Sequence, residues 1–327
     1  MKDELKSQIL AAVEEDLTAI ELALNENLKP NLDLVRQIAG HLLFSGGKRF
    51  RPLLFLLSSR LCNYEGKLAL DVSILFEYLH AATLLHDDVV DQAELRRGRT
   101  TAHSIWGTAQ TVLTGDFLLA CALRRAAEAE LVEIIRVIAG ITAEMSQGEI
   151  DQLEKKEKLD LTEAEYMSII SAKTAVLIQG ACKSGAIIAG ASEDKKQALA
   201  DYGFHLGVAF QMADDLLDYT ADAQTLGKNP GADLREGKLT LPLILALKRA
   251  DDKDRAWMEG VILNPDFTDD DFQKLLQKLY LYKGIEDTRS RARHHVEQAK
   301  KSLELFDDCM TKQTMIMLSD YTIARNV

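Results

Sequence analysis

Leu84–Gly98 reads LLHDDVVDQAELRRG. An apolar run leads into three aspartates, Asp87, Asp88 and Asp91, and two arginines, Arg96 and Arg97, follow directly. The DDxxD pattern recurs as DDLLD at 214–218, within QMADDLLDY, 127 positions downstream. In each copy the outer aspartates are four apart, so a helix sets both on one face. Like charges at that spacing weaken an isolated helix by about 0.2–0.5 kcal/mol. One such element is most simply a solvated helix face. Two copies, each embedded in apolar sequence (ATLLHDDVV and VAFQMADDLLDY), argue against that reading.

Clustered carboxylates are hard oxygen ligands suited to Mg²⁺, which takes one or two of them and completes its shell with water and phosphate oxygens. Two such faces across a helical bundle would cage ions around one diphosphate and neutralise its charge as Lewis acids. The basic residues fit. Arg96-Arg97 offers bidentate donors matched to phosphate. GGKRFRP at 46–52 places Lys48, Arg49 and Arg51 after a Gly-Gly turn, and it lacks the GxxxxGK[ST] pattern of a nucleotide loop. Lys173-Thr174, Lys228 and Lys238 (in GKLTLP) lie near polar breaks. Each alone is an ordinary surface lysine; together they suggest a site for two anionic ligands.

The rest of the chain reads as helix. Its 327 residues suffice for one large domain with a sizeable core. Only five prolines occur, and 177 residues separate Pro52 from Pro230. That interval is rich in Ala, Leu, Ile, Glu and Lys, with apolar residues at helical spacing, as in Ile134, Ile135, Ile138 and Ile141. Breaks are expected at Ser45–Gly47, Asn63–Gly66, Gly107, Thr114–Asp116, 155–160, Ser192–Asp194 and 227–237. The expectation is one all-α domain over residues 1–327.

Composition excludes several classes. Apolar residues make 47% and charged residues 28%, a globular profile. A net charge of −12 argues against nucleic acid as a partner. The scattered cysteines Cys62, Cys121, Cys182 and Cys309 lack zinc spacing and read as buried thiols of a reducing compartment. The start, MKDELKSQILAAVEEDL, is an amphipathic helix rather than a signal peptide, and no run of 18 apolar residues is found. A cytoplasmic location is expected.

These motifs, in this order, resemble the trans-isoprenyl (polyprenyl) diphosphate synthases, from GGKRFRP through LLHDDVVDQAELRRG, Lys173-Thr174 and QMADDLLD to GKLTLP. The resemblance implies an all-helical bundle around a deep central cavity (the isoprenoid synthase type), usually a homodimer. It implies Mg²⁺-dependent, repeated 1'-4 condensation of isopentenyl diphosphate onto an allylic diphosphate, with about three ions per site. By resemblance, Asp87, Asp91 and Asp214 ligate metal. Asp88, Asp215 and Asp218 support them, with Asp88 and Asp218 counted in the metal set. Arg96, Lys173, Thr174, Gln211, Lys228 and Lys238 hold the allylic diphosphate. Lys48, Arg51, His80 and Arg97 hold isopentenyl diphosphate. His80 alone would more simply be a core histidine, but it lies two helical turns before Asp87 on the same face.

Product length is expected from the helix entering DDVVD. Ala82 and Thr83 are small where short-chain relatives carry aromatics, which implies a heptaprenyl to decaprenyl product, octaprenyl favoured, suited to a quinone side chain. Tyr78 is either an obstacle deeper in the cavity or core. A short-chain synthase is the alternative. A terpene cyclase would need no second basic site, and a non-catalytic subunit would lack an acidic element. The segment 250–327 reads as scaffold.

Overall fold

The computed structural model describes residues 2–96, 98–156, 158–220 and 231–324. Its elements in order are α1 (Lys2–Asn27), α2 (Asp33–Leu43), α3 (Phe50–Leu61), α4 (Leu68–Ser73) and α5 (Leu75–Val90). A two-residue hairpin follows, β1 (Leu95–Arg96) against β2 (Arg99–Thr100), antiparallel with Arg96 opposite Arg99. Next come α6 (Ala102–Trp106), α7 (Thr108–Glu128), α8 (Val132–Glu154) and α9 (Glu163–Ile170). One π-helical turn, Ser171–Ala175, leads into α10 (Val176–Ile188) and the long α11 (Glu193–Thr220). The remainder is α12 (Ala232–Arg235), α13 (Leu241–Arg249), α14 (Asp252–Ile262), α15 (Asp269–Leu281), α16 (Gly284–Ser302) and α17 (Met310–Ala324). The all-α expectation holds, the hairpin apart.

Local chemistry explains several boundaries. α9 opens with a capping box, Thr162 accepting from the Glu165 N–H while Glu165 accepts from the Thr162 N–H. Thr268 and Asp271 do the same for α15. α13 begins after an extended Thr240 with Pro242 in its first turn, where no donor is lost. The break expected at Thr114–Asp116 is absent, since α7 runs straight through it. Gly115 is there for packing instead: a Cβ would lie 2.3 Å from His86 Nε2 on α5.

Two apolar cores are joined by α11. Leu199, Tyr202 and Leu206 from its first half pack into a core built from α1 to α8, α10 and α17. Val208, Met212, Leu216 and Tyr219 from its second half pack into a core with α9 and α12 to α16. A helix of 28 residues is about 42 Å long, enough to span both. Its second half carries the second acidic element. α5, which carries the first, is apolar nearly all round and buried on most sides. Leu68–Val90 is long and apolar enough by length and composition to cross a membrane (mean hydropathy 1.5), but it is no unbroken apolar run, and 67% of its most apolar window is buried inside the protein. It is a core segment with a charged end.

Candidate active site

The first acidic element ends α5. The Asp91 N–H donates to Asp87 O at 2.8 Å, so the four-residue spacing keeps its helical geometry to the last residue. Asp87 is half-buried, and burial pushes its carboxyl up to about 6; Lys173 and Arg96 pull the other way, while Glu149 and Asp91 add to the rise. Asp88 turns inward. It is 1% exposed and accepts from Arg96 Nε at 2.6 Å. Burial lifts its carboxyl too, against the pull of Arg96. The β1–β2 hairpin that no strand signal announced is what returns Arg96 to α5.

Asp91 meets Lys238, its Oδ2 3.0 Å from Lys238 Nζ. Lys238 also reaches Glu236 at 2.6 Å. Burial disfavours the Lys238 charge, but Glu236 and Asp91 outweigh it and raise the affinity for the proton.

The second element sits on α11. Asp214 is exposed, whereas Asp215 is buried and held by Tyr166 Oη at 2.6 Å and Gln211 Nε2 at 2.8 Å. Burial, then Asp233, lift the Asp215 carboxyl well above the usual carboxylate range, and those two hydrogen bonds oppose the rise. Gln211 Oε1 in turn accepts from Thr174 Oγ1 at 2.8 Å. Thr174, Gln211, Asp215 and Tyr166 therefore form one chain of hydrogen bonds that fixes the Gln211 amide. Asp218 is 1% exposed and its Oδ2 accepts from the Asp233 N–H at 3.1 Å. Asp88 and Asp218, expected in the metal set, are thus engaged with Arg96 and with the backbone of α12. Asp87 and Asp214 are better disposed toward a ligand, while Asp91 is held by Lys238.

Lys173 and Thr174 occupy the π turn. Lys173 Nζ lies 2.7 Å from Glu149 Oε2 and 2.7 Å from Gln152 Oε1, both on α8, within electrostatic reach of Asp87. Two glycines clamp the turn. A Cβ on Gly148 of α8 would meet Ala172 Cβ at 2.5 Å, and one on Gly207 of α11 would meet Ala175 Cα at 2.6 Å. A π turn inserts one residue and re-aims its side chains. Here consecutive residues face different acidic elements, Lys173 toward α5 and Thr174 toward α11.

The basic loop before α3 is anchored by its middle residue. Arg49, left-handed at φ 47° and 5% exposed, pairs with Glu21 at 2.6 Å and Glu77 at 3.2 Å and donates to Leu43 O at 2.6 Å. Lys48 on one side of it is exposed and Arg51 on the other is half-buried. The loop reaches α11 through Phe50, whose ring stacks on Phe210 at 5.9 Å. His80, half-buried, lies one turn after Glu77 on α5. Arg97 and Lys228, expected on the two diphosphates, lie outside the described residues.

Among the described residues no three carboxylate, imidazole or thiol groups converge on one point. A cation shared by one or two carboxylates and the oxygens of its substrate is the Mg²⁺ habit rather than that of zinc. The donors fit it. They are carboxylates without soft ligands, and burial makes Asp87 seek a positive partner.

The sequence pattern of the polyprenyl synthetase family matches residues 32–279. The chain belongs to that family. It is a trans-prenyltransferase of the polyprenyl synthetase kind. The octaprenyl diphosphate synthase of Haemophilus influenzae is 35% identical over 329 residues, 98% of this chain and 100% of that protein. The short chain isoprenyl diphosphate synthase of Methanothermobacter thermautotrophicus is 36% identical over 293 residues, 87% of this chain and 88% of that one. Among solved structures, the Caulobacter crescentus polyprenyl synthase complexed with calcium and isoprenyl diphosphate superposes with a TM-score of 0.92 at 36% identity, covering 98% of each chain.

The residues expected to set product length lie in the upstream turns of α5. Ala82 is 3% exposed, and Thr83 is half-buried with its hydroxyl donating to His80 O at 2.9 Å. Tyr78 is 1% exposed beside Arg125 and Cys121 of α7, and burial pushes its phenol up to about 12. Sequence reasoning missed Glu149, Gln152 and Tyr166. Their only signal was an i, i+3 polar pair next to a glycine on α8, and a lone tyrosine three residues into α9.

Proposed function

We propose that the chain catalyses Mg²⁺-dependent, repeated 1'-4 trans condensation of isopentenyl diphosphate onto an allylic diphosphate. The product is a long-chain polyprenyl diphosphate in the heptaprenyl to decaprenyl range, octaprenyl favoured, for a quinone side chain. The carrying observation is the pair Lys173-Thr174: adjacent residues face the two acidic elements, Lys173 acting electrostatically on Asp87 and Thr174 bonded through Gln211 to Asp215. One diphosphate between the two elements would meet both.

Asp87 and Asp91 on one side, and Asp214 on the other, would hold Mg²⁺, which supplies Lewis-acid neutralisation of the departing diphosphate. Arg96, Lys173 and Lys238 add fixed positive charge where negative charge develops as the allylic C–O bond breaks. Gln211 is held in one orientation by Thr174 and Asp215, so its remaining N–H has a set direction. Lys48 on the loop, Arg51 in the first turn of α3 and His80 on α5 are tied together by the Arg49–Glu77 pair, and they orient the second substrate by its diphosphate so that its double bond faces the cation. Loss of a proton to the released diphosphate completes the step. No nucleophile of the protein forms a covalent bond.

Joining of both cores through α11 supports reading residues 1–327 as one domain. Exposed apolar side chains on neighbouring helices, among them Leu113 and Leu123 of α7 and Ile150 and Leu153 of α8, support a homodimer. Four unpaired cysteines support a reducing, cytoplasmic setting, and an apolar product would leave by peripheral contact with a membrane.

Similarity to a short chain synthase favours a second reading, a product of three or four isoprene units. One assay separates the readings. Purified chain, labelled isopentenyl diphosphate, Mg²⁺ and farnesyl diphosphate should yield heptaprenyl or longer diphosphates on chromatography. Products that stop at geranylgeranyl, or incorporation with dimethylallyl but not farnesyl diphosphate as primer, support the short-chain reading, and absence of incorporation with either primer overturns both.

A further inference from the structure

Three cations of the site face the three carboxylates of the first acidic element, and two pairings are closed. Arg96 holds Asp88 at 2.6 Å and Lys238 holds Asp91 at 3.0 Å. Asp87 differs. Among the described residues its carboxylate makes no hydrogen bond and no ion pair, although Lys173 is near enough to act on it electrostatically. Lys173 is instead captured from α8, by Glu149 at 2.7 Å and Gln152 at 2.7 Å. Those two residues are three apart on one helix face. Gly148 lets that face reach the π turn, since any Cβ there would strike Ala172.

A lysine on a four-carbon stem goes to whichever acceptors hold it best. Two acceptors on α8 outbid the single carboxylate of Asp87. Without the Glu149 charge the ammonium has only neutral oxygens on α8, while the half-buried Asp87 carboxylate on α5 attracts it electrostatically. It would then occupy the position a divalent cation needs.

We infer that Glu149, assisted by Gln152, is a positioning residue that keeps Lys173 off Asp87 and so reserves that carboxylate for the divalent cation. The inference rests on the function proposed above. Glu149 touches neither diphosphate. It acts through Lys173, which it holds against α8 beside the site.

Glu149 also carries charge, so its removal could weaken cation binding directly, and a double-mutant cycle separates the two routes. The readout is the Mg²⁺ concentration at the midpoint of thermal stabilisation, with inorganic diphosphate in saturating excess. E149Q should raise that midpoint about tenfold, equivalent to about 1.4 kcal/mol. In a K173M background, with no ammonium to block Asp87, the same change should move it less than about twofold. E149D, which keeps the carboxylate, should stay within about threefold of the parent, and E149Q turnover should recover at high Mg²⁺. An unmoved midpoint in E149Q, or an equal shift in both backgrounds, overturns the inference. If the parent chain does not incorporate isopentenyl diphosphate, the function proposed above fails instead, whatever the midpoints.

Discussion

Lys238 Nζ lies 3.0 Å from Asp91 Oδ2, joining residues 147 apart in sequence. Both side chains are largely buried, at 17% and 16% exposure. An ammonium thus rests on a carboxylate assigned to a metal, and Glu236 keeps it charged there. In the function proposed above, Lys238 would pass to a phosphate oxygen and Asp91 to the arriving cation. Each buried charge is neutralised before and after, which avoids the several kcal/mol that an unpaired buried ion costs.

From this exchange, K238M should reduce kcat/KM for the allylic diphosphate about 100-fold, the usual effect of losing one donor aimed at developing charge. The Mg²⁺ requirement should not rise, because nothing remains to be displaced from Asp91. Steady-state kinetics at varied Mg²⁺ checks both. A kcat/KM within about threefold of the parent would remove Lys238 from the diphosphate site.

Asp87 links stability to pH. Its carboxyl, pushed up to about 6 from an ordinary 3.8, prefers the protonated form in the folded chain. The group therefore costs nothing below pH 3.8, and stability is lost as pH rises toward and through 6. Two pH units amount to about 3 kcal/mol, reduced to about 1–2 kcal/mol by solvent screening of a half-buried group. D87N, neutral at every pH, should therefore melt about 1.5–3 °C higher than the parent in chelator at pH 7.5. That advantage should shrink to roughly half or less by pH 4.5, while turnover of D87N falls at least about 100-fold. Calorimetry at the two pH values tests it; a parent that melts no lower than D87N at pH 7.5 contradicts the burial of Asp87.

Lys48 and Arg49 are neighbours with opposite work. Arg49 is enclosed by Glu21, Glu77 and Leu43 O, and R49M leaves Glu77, 6% exposed, without its counter-ion. Removing one partner of a buried pair typically costs about 3–5 kcal/mol. R49M should lower the denaturation midpoint markedly. K48M changes an exposed side chain and should leave that midpoint within about 0.5 kcal/mol, while raising KM for isopentenyl diphosphate about tenfold. Denaturant titration beside kinetics distinguishes the two, and equal destabilisation by both would refute this division.

Helical class and both acidic elements were legible because they are local. Apolar spacing at 3.6 residues and a five-residue motif survive without knowledge of the fold. What was not legible depends on contacts across the chain. Gly115 reads as a break by propensity, yet only the approach of His86 explains it. Asp88 and Asp91 look alike in DDVVD, and burial against Arg96 sets the first apart. Asp218 repeats the position of Asp91 in the second element but caps the backbone of Asp233, because α11 ends against α12. Glu149 and Gln152 belong to no acidic motif. Their relation to Lys173 exists only because Gly148 brings α8 onto a π turn.

The product length proposed above rests on the upstream turns of α5. Ala82 lies five residues before Asp87, is 3% exposed and sits beside Ala81 and Leu85 in the same buried helix. A prenyl chain growing away from the diphosphate along α5 would pass this wall within its first units. Thr83, a turn from Asp87, binds its hydroxyl to His80 O and leaves only a small apolar profile. A82F adds a ring where there is now a methyl group. Overpacking costs about 1–3 kcal/mol, so the variant must first be shown to melt cooperatively. Given that, A82F should shift the product toward geranylgeranyl length and leave the first condensation within about fivefold of the parent rate, since Asp87, Asp91 and Lys173 are untouched. Chromatography of the labelled products reads the result. A folded, active A82F with unchanged product length would mean that the chain does not grow along this face of α5, and the long-chain assignment would lose its structural support.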